Sequence, residues 1–358
     1  MPKDNENIPF LGPVEPSEPL GFSAEQMIRC EECLRANPPT RVSCLYCVAP
    51  LPLTETSKHL RKPVLRPPDK HQLAYNNILL PSDGPVTEEV IGAAATLLKL
   101  APANVQGLMS ENLPLPVART ASREEAELVC DRLSELALKC LTLSDEELGL
   151  SYSDNAVKRV RTMNFDERYL TIYQAGAAEG VAVLWGDVIL ILPARLFETT
   201  LEIKERLSRK TEKEIVDTSE FSRDEAVIDL YTAQQSATWR VSASGFDFSC
   251  LGSEKTLVAN ENIGKLQRLL VDRAMNAQFD DSYRRVRTLL EHAWGTQQEM
   301  QSSGWRRERP GKLSVHSATT KSNESQFTRF SRLRYYVNLN HGEHRGCTEK
   351  KSGSGKAG

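Results

Sequence analysis

Four thiols stand in two pairs near the front of the chain: Cys30 with Cys33, then Cys44 with Cys47, in the stretch RCEECLRANPPTRVSCLYCV. The spacing is C-x2-C-x10-C-x2-C. A CxxC turn brings two sulfurs toward one point, and two such turns supply the tetrahedral four-sulfur set that a structural zinc takes. Thiolate is a soft ligand, and four of them leave no open coordination position, so the chemistry predicted is architectural and not catalytic. An iron–sulfur cluster is the alternative occupant. A dithiol redox centre needs one exposed, low-pKa CxxC, usually at a helix N-terminus, and two matched pairs argue against it. A fragment of about 25 residues cannot bury a core of its own. Metal binding then supplies the folding free energy, on the order of 10–16 kcal/mol in small zinc units.

The remaining reactive residue types give weaker patterns. Cys130, Cys140 and Cys250 lie in apolar stretches and read as core fillers. Cys250, in FDFSCLG, needs a base to act as a nucleophile, and the one His in that region is His292. Asp187, Asp229 and Asp247 are scattered over predicted strands and a turn, where strand-end and turn roles account for them. His341, His344 and Cys347 have ligand-like spacing in HGEHRGC, but three ligands in a polar tail make a poor metal set. GSGKAG near the C-terminus imitates a phosphate loop without the flanking strand and helix. No enzyme signature emerges, and the chain reads as non-enzymatic.

These residues must be positioned by a chain of 358 residues, 40% hydrophobic and 26% charged, an ordinary balance for a globular protein of several domains. Charge is segregated along it. From residue 301 onward twelve Lys/Arg face four Glu, a net +8 that leaves −11 for the residues before. Within that tail Arg329, Arg332 and Arg334 interleave with Phe327, Phe330, Tyr335 and Tyr336, a mixture suited to stacking on bases and holding phosphates. It suits an acidic protein surface, an anionic membrane or plain solvation as well. The first thirty residues carry no apolar signal core, and GVAVLWGDVILILPA is interrupted by Gly186 and Asp187, so neither a secretory signal nor a transmembrane segment is expected. The expectation is a cytoplasmic, bacterial-looking protein whose thiols stay reduced.

The pattern predicts a multidomain α+β chain: residues 1–23 disordered, 24–50 a zinc ribbon, 51–72 a Pro-rich basic linker, 73–150 a small α/β domain, 160–295 a β-rich domain with C-terminal helices, and 296–358 a basic disordered tail with one ordered patch at FTRFSRLRYYVNLN. In the α/β domain YNNILL reads as a strand, VTEEVIGAAATLLKLA and PANVQGLMSEN as helices, LPLPVART as extended, and KCLTLS as a strand. Its clearest helix is SREEAELVCDRLSELA, where Ser122 and Glu125 fit a capping box. In the β-rich domain hairpins are expected at Gly186–Asp187 and around Gln234–Gln235. The charged run between them, 197–225, is expected to be polar and partly helical.

The metal pattern resembles one known family. Three residues separate Cys33 from Asn37 and six separate Asn37 from Cys44, which is similar to the Ran-binding-protein type zinc finger, C-x2-C-x3-N-x6-C-x2-C. That resemblance implies a ribbon of two crossed hairpins that binds single-stranded RNA or a small protein. Arg35, Arg41 and Tyr46 would be its contacts, with Ile28 standing where the family has Trp. The order of elements over 73–150 resembles the C-terminal domain of the bacterial ribosomal stalk protein and the ClpS adaptor. Asp83 and Thr87 lie where ClpS reads a substrate N-terminus, and the His partner is missing. Strands closed by a C-terminal helix in 160–295 resemble a pleckstrin-homology-like barrel. The function implied is that of a non-enzymatic, zinc-binding interaction adaptor with a protein partner. A nucleic-acid binder working through ribbon and tail is the second reading, and an enzyme site in 160–295 the third.

Overall fold

A computed structural model describes residues 21–52, 57, 60–61, 63–65, 68, 73–82, 84–150, 157–177, 179–207, 213–233, 237–302, 306–309 and 312–349. The expected disorder of 1–20, Asp83 and most of the expected linker fall outside the described residues. The chain divides into two compact units, 1–64 and 65–358, and taken as a whole is mixed α and β.

The first unit is small. Strands β1 (Ile28–Arg29) and β2 (Ala36–Asn37) pair antiparallel. Ile28, Cys30, Cys44 and Leu51 form its buried cluster. It extends past the expected ribbon. Arg61, assigned to the linker by its basic Pro-rich surroundings, is fully buried. Its guanidinium donates to the carbonyls of Pro39, Leu51 and Pro52 at 3.4, 3.3 and 2.7 Å.

The second unit begins with β3 (Tyr75–Leu79), α1 (Glu88–Leu98), α2 (Pro102–Ser110), β4 (Leu115–Thr120), α3 (Arg123–Glu135) and β5 (Cys140–Ser144), the element order that the apolar periodicity predicts. Strand β3 lies centrally in the sheet β4-β3-β5. Helix α3 is capped as expected at one end of its capping box, with Ser122 Oγ accepting from the Glu125 amide at 3.3 Å. The Glu125 carboxylate instead accepts from the Leu65 amide at 2.5 Å. Cys130 of α3 and Cys140 of β5 are joined as a disulfide, so the reading of both as separate core fillers is corrected.

A ten-stranded sheet follows. Its order is β13-β15-β9-β10-β11-β6-β7-β8, with β12 on β9 and β14 on β15. The strands are β6 (Lys158–Phe165), β7 (Tyr169–Gln174), β8 (Val181–Leu184), β9 (Val188–Leu207), β10 (Lys213–Thr232), β11 (Trp239–Ser242), β12 (Gln278–Phe279), β13 (Gln297–Ser302), β14 (Arg306–Arg309) and β15 (Lys312–Ser322). Helices α4 (Ala259–Arg273), α5 (Tyr283–Val286) and α6 (Glu324–Glu349) complete the unit. The described residues of the 197–225 run, 197–207 and 213–225, are not helical; they form the outer halves of β9 and β10, paired with one another. The hairpin expected at Gly186–Asp187 does not form, because β8 pairs with β7 while β9 pairs with β10 and β15. The hairpin β10–β11 does form, Val227 opposite Ser242 and Leu230 opposite Trp239.

Alternation along these strands feeds two cores. Ile191, Ile228, Leu230, Trp239 and Val241 pack with Ile263, Leu266 and Leu270 of α4. Leu190, Leu192, Val227 and Tyr231 share the other core with Ile78, Leu115, Val129 and Leu143 of the first subregion, and with Phe327, Phe330 and Leu333 of α6. Regions 73–150 and 160–295 therefore share one core. The Trp294 indole donates to Asn76 Oδ1 at 2.8 Å across that junction.

The basic tail is likewise corrected. Residues 312–349 are strand and helix, and Phe327, Phe330, Leu333, Arg332 and Arg334 are buried. Beneath α6, Arg240 forms a buried bidentate pair with Asp229, Nε to Oδ1 at 2.7 Å and Nη2 to Oδ2 at 2.8 Å. Ser331 Oγ donates to Asp229 Oδ2 at 2.8 Å, and Arg334 Nε meets Asp280 Oδ2 at 2.5 Å. A helix whose polar residues satisfy buried carboxylates can be rich in Arg and still be core.

Candidate metal centre

The four cysteines converge. The sulfurs of Cys30, Cys33, Cys44 and Cys47 all lie within 4.8 Å of one another. Cys30 and Cys47 Sγ are 3.5 Å apart, as are Cys33 and Cys44 Sγ. A tetrahedral ion with metal–sulfur bonds of about 2.3 Å requires sulfurs about 3.8 Å apart, so this set is close enough to hold a metal ion and is compatible with zinc.

Backbone geometry explains the convergence. In the first knuckle the Cys30 amide donates to the Arg35 carbonyl at 2.9 Å and the Leu34 amide to the Cys30 carbonyl at 2.9 Å. The second repeats this fourteen residues on: Cys44 amide to Ala49 carbonyl at 2.8 Å, Val48 amide to Cys44 carbonyl at 3.1 Å. Each knuckle closes through a left-handed residue, Leu34 at φ 59° and Val48 at φ 63°. Such a position favours glycine, and a β-branched residue there is strained.

Asn37 ties the two knuckles together. Fully buried, it donates from Nδ2 to the Arg35 carbonyl at 2.9 Å and to Cys44 Sγ at 3.4 Å, and its Oδ1 accepts from the Leu45 amide at 2.8 Å. The Tyr46 amide adds a second donor to Cys44 Sγ at 3.4 Å. Burial raises the Cys44 pKa, but the Tyr46 and Cys47 amides and the Asn37 side chain outweigh it and bring it to about 6. At Cys47 the Ala49 amide favours the thiolate, yet burial and the three neighbouring thiols push its pKa up to about 12. Cys33 is also raised, since burial and the thiols of Cys44 and Cys30 override the Arg35 amide. Of these three thiols one is favoured as thiolate and two are opposed, and a cation bound among the sulfurs would offset that opposition.

Around the cage the knuckle tips are apolar and open. Leu34, Leu45, Tyr46 and Val48 are exposed to 66, 51, 55 and 73%. The Arg35 guanidinium lies over the Tyr46 ring, 4.7 Å from its centroid.

The other sequence candidates do not converge. Cys250 packs against the α4 core, and burial pushes its thiol up to about 11. His292 lies beside the backbone of Pro116 and Val117, among residues of the other core. Asp229 is committed to Arg240, and Asp247 accepts from the Ser249 amide at 3.1 Å and pairs with Lys255 at 3.3 Å. Asp187 closes the turn before β9, its carbonyl accepting from the Ala233 amide. Thr87 caps α1 by accepting from the Val90 amide at 3.4 Å. The side chains of His341, His344 and Cys347 lie outside the described residues. Of the proposed nucleic-acid contacts, Arg332 and Arg334 are buried and Tyr335 stacks on Tyr231 at 4.6 Å, while Arg329 and Tyr336 are half-buried. Sequence reasoning missed Arg61 as part of the first unit, and its apolar flanks Leu51, Leu60 and Val64 were the available signal. Compared with known proteins, the chain matches no family model, no curated protein and no solved structure. Among the described residues no helix is long and apolar enough to cross a membrane.

Proposed function

We propose that this chain is a non-enzymatic, zinc-binding interaction protein whose first unit presents the two knuckle tips to a protein partner. Zinc held by Cys30, Cys33, Cys44 and Cys47 builds the unit, in the manner of a Ran-binding-protein type finger, and does no chemistry. The second unit, with a ClpS-like region at its start, is the scaffold. One observation carries the reading: Val48 occupies a left-handed backbone position at φ 63° while 73% of it is open to solvent. Glycine would relieve the strain, about 1–2 kcal/mol for an L residue in that region. An exposed Val at that site contributes nothing to packing, and strain of this kind concentrates where a surface binds. Leu34 repeats the pattern in the other knuckle at φ 59°. Leu45 and Tyr46 extend the same apolar surface, which favours a protein over a phosphate backbone.

The test separates metal from recognition. Zinc content of the full chain should be one ion per chain and fall in Cys44→Ser. Val48→Gly should bind zinc as tightly as wild type or up to about tenfold more tightly, while losing the partner captured by the wild-type chain in nuclease-treated extract. Unchanged zinc content in Cys44→Ser sinks the metal assignment. Capture that vanishes with nuclease, or survives Val48→Gly together with Leu34→Gly, sinks the protein-docking assignment.

A further inference from the structure

The ribbon cysteines can hold a metal only if they stay reduced. In surroundings that keep such thiols, a disulfide elsewhere in the same chain is as a rule transient. The Cys130–Cys140 bond is built unequally. Cys130 lies in the second half of α3, and its Sγ accepts from Asn77 Nδ2 at 3.3 Å and from Thr142 Oγ1 at 3.3 Å. Cys140 opens β5 and receives the same Asn77 amide at 3.9 Å. Donors aimed at a sulfur favour its thiolate, so the reduced pair has one activated member, Cys130. Asn77 is fully buried, and its Oδ1 has no hydrogen-bond partner among the described residues. Both cysteines are only half-buried, which leaves them open to a small reagent.

The bond also has something to control. It closes a ring around residues 131–139. Leu136, Ala137, Leu138 and Lys139 of that ring form one wall of a cavity of about 330 Å³, faced by Pro85, which precedes α1, and by Val90 in its first turn.

We propose that Cys130 and Cys140 form a thiol–disulfide exchange site for low-molecular-weight thiols and disulfides, with Cys130 as the residue that reacts with the small molecule. In the closing direction the Cys130 thiolate attacks one sulfur of a small disulfide such as glutathione disulfide. A mixed disulfide forms and one small thiolate leaves. The Cys140 thiolate then attacks the Cys130 sulfur and expels the second small thiolate. The two protein thiols lose two electrons, the small disulfide gains them, and the protons given up by the cysteines end on the two small thiols. Excess small thiol runs the sequence backwards, opens the ring and frees the cavity wall.

The test uses the full-length, zinc-loaded protein in buffers of graded glutathione to glutathione-disulfide ratio, with acid quenching, alkylation and peptide mass analysis. The 130/140 pair should pass from dithiol to disulfide at ratios where the ribbon cysteines stay reduced. Amide exchange at Ala137 and Leu138 should be faster in the dithiol form. Cys140→Ser should accumulate glutathione on Cys130, and Cys130→Ser about tenfold less on Cys140, as expected when one thiolate is favoured. Thr142→Val keeps both cysteines. At pH 6 it should slow the mixed-disulfide step about threefold for each unit of Cys130 pKa it raises, because the thiolate fraction falls about tenfold while its intrinsic reactivity rises about threefold. A pair that stays oxidised at every ratio is a fixed crosslink, and a pair that never closes is a chance contact. Equal labelling of the two cysteines, or an unaltered rate in Thr142→Val, removes Cys130 from its role. Each of these overturns the proposal, and the wild-type titration with Thr142→Val decides it even where the serine variants do not fold.

Discussion

Asn37 is the most exacting place to test the proposed zinc cage, because it is not itself a ligand. Replacing it with Ala removes three hydrogen bonds at once: Nδ2 to the Arg35 carbonyl, Nδ2 to Cys44 Sγ, and the Leu45 amide to Oδ1. The two neutral bonds contribute about 1 kcal/mol each and the one to a thiolate about 1.5–3 kcal/mol. The sum is about 3.5–5 kcal/mol, and water entering the gap beside the exposed tips recovers part of it. The expected loss is about 2–4 kcal/mol, or roughly 30- to 1000-fold in zinc dissociation constant. Losses of a similar kind follow removal of other groups that orient metal ligands. Asn37→Asp sharpens the test. It keeps an acceptor for the Leu45 amide, loses both donors, and sets a negative charge against the Cys44 sulfur, so it should bind zinc no better than the Ala variant. Competition against a chromophoric chelator, at fixed pH and salt, measures both. If Asn37→Ala holds zinc within about threefold of wild type, the side chain does not brace the cage and the electrostatic reasoning behind it is wrong.

Other outcomes follow from the second unit. Arg240→Met strands the buried Asp229 carboxylate and should cost about 3–5 kcal/mol in denaturant unfolding, whereas Asp229→Leu with Arg240→Met should recover at least half of that loss. A chain ending at residue 322 loses α6, with Phe327, Phe330 and Leu333, and should give a second unit without a cooperative unfolding transition; a solvated tail would leave that transition in place. Burial pushes the Tyr231 and Tyr283 phenols above their ordinary range. The unfolded chain then releases these protons first, so stability should fall as pH rises past about 10. At the acid end, burial opposes the Asp280 carboxylate, but Arg334 and Ser282 hold its pKa below the usual range. Its contribution is present above about pH 4 and should be lost as pH falls through the lower folded value, a loss absent from Asp280→Asn.

What could be read from the sequence was local. The knuckles are set by residues at most five apart, and the caps of α1 and α3 by residues three apart. Each is written in one short stretch of chain, and spacing alone finds it. The disulfide was within reach by the same logic, since Cys130 and Cys140 stand ten residues apart on a helix and the strand that follows it. The assumption of a reducing compartment turned the reading away from it. Strands β9 and β10 were hidden for a different reason. Among the described residues their outer halves have no fully buried side chain, and in TTLEIKERL the short alternation of Leu201 and Ile203 with Glu202 and Lys204 is swamped by charges that read as a loop or helix.

The tail shows why composition misleads when partners are remote. Its Arg and Tyr residues look like an exposed binding arm because nothing nearby in sequence neutralises them. For two of them the partners lie far back along the chain: Asp280 is 54 residues from Arg334, and Tyr335 stacks on Tyr231. The pairing changes the meaning of the charge. An arginine held by a buried carboxylate is no longer available to phosphate, and an aromatic ring stacked on Tyr231 is no longer available to a base. The same reasoning runs the other way at the ribbon. Leu34, Leu45, Tyr46 and Val48 look like core residues by type, yet they stand open on a unit whose shape a metal can hold without them. Their exposure is the feature that the proposed docking role draws on, and it is the reverse of what residue type alone suggests.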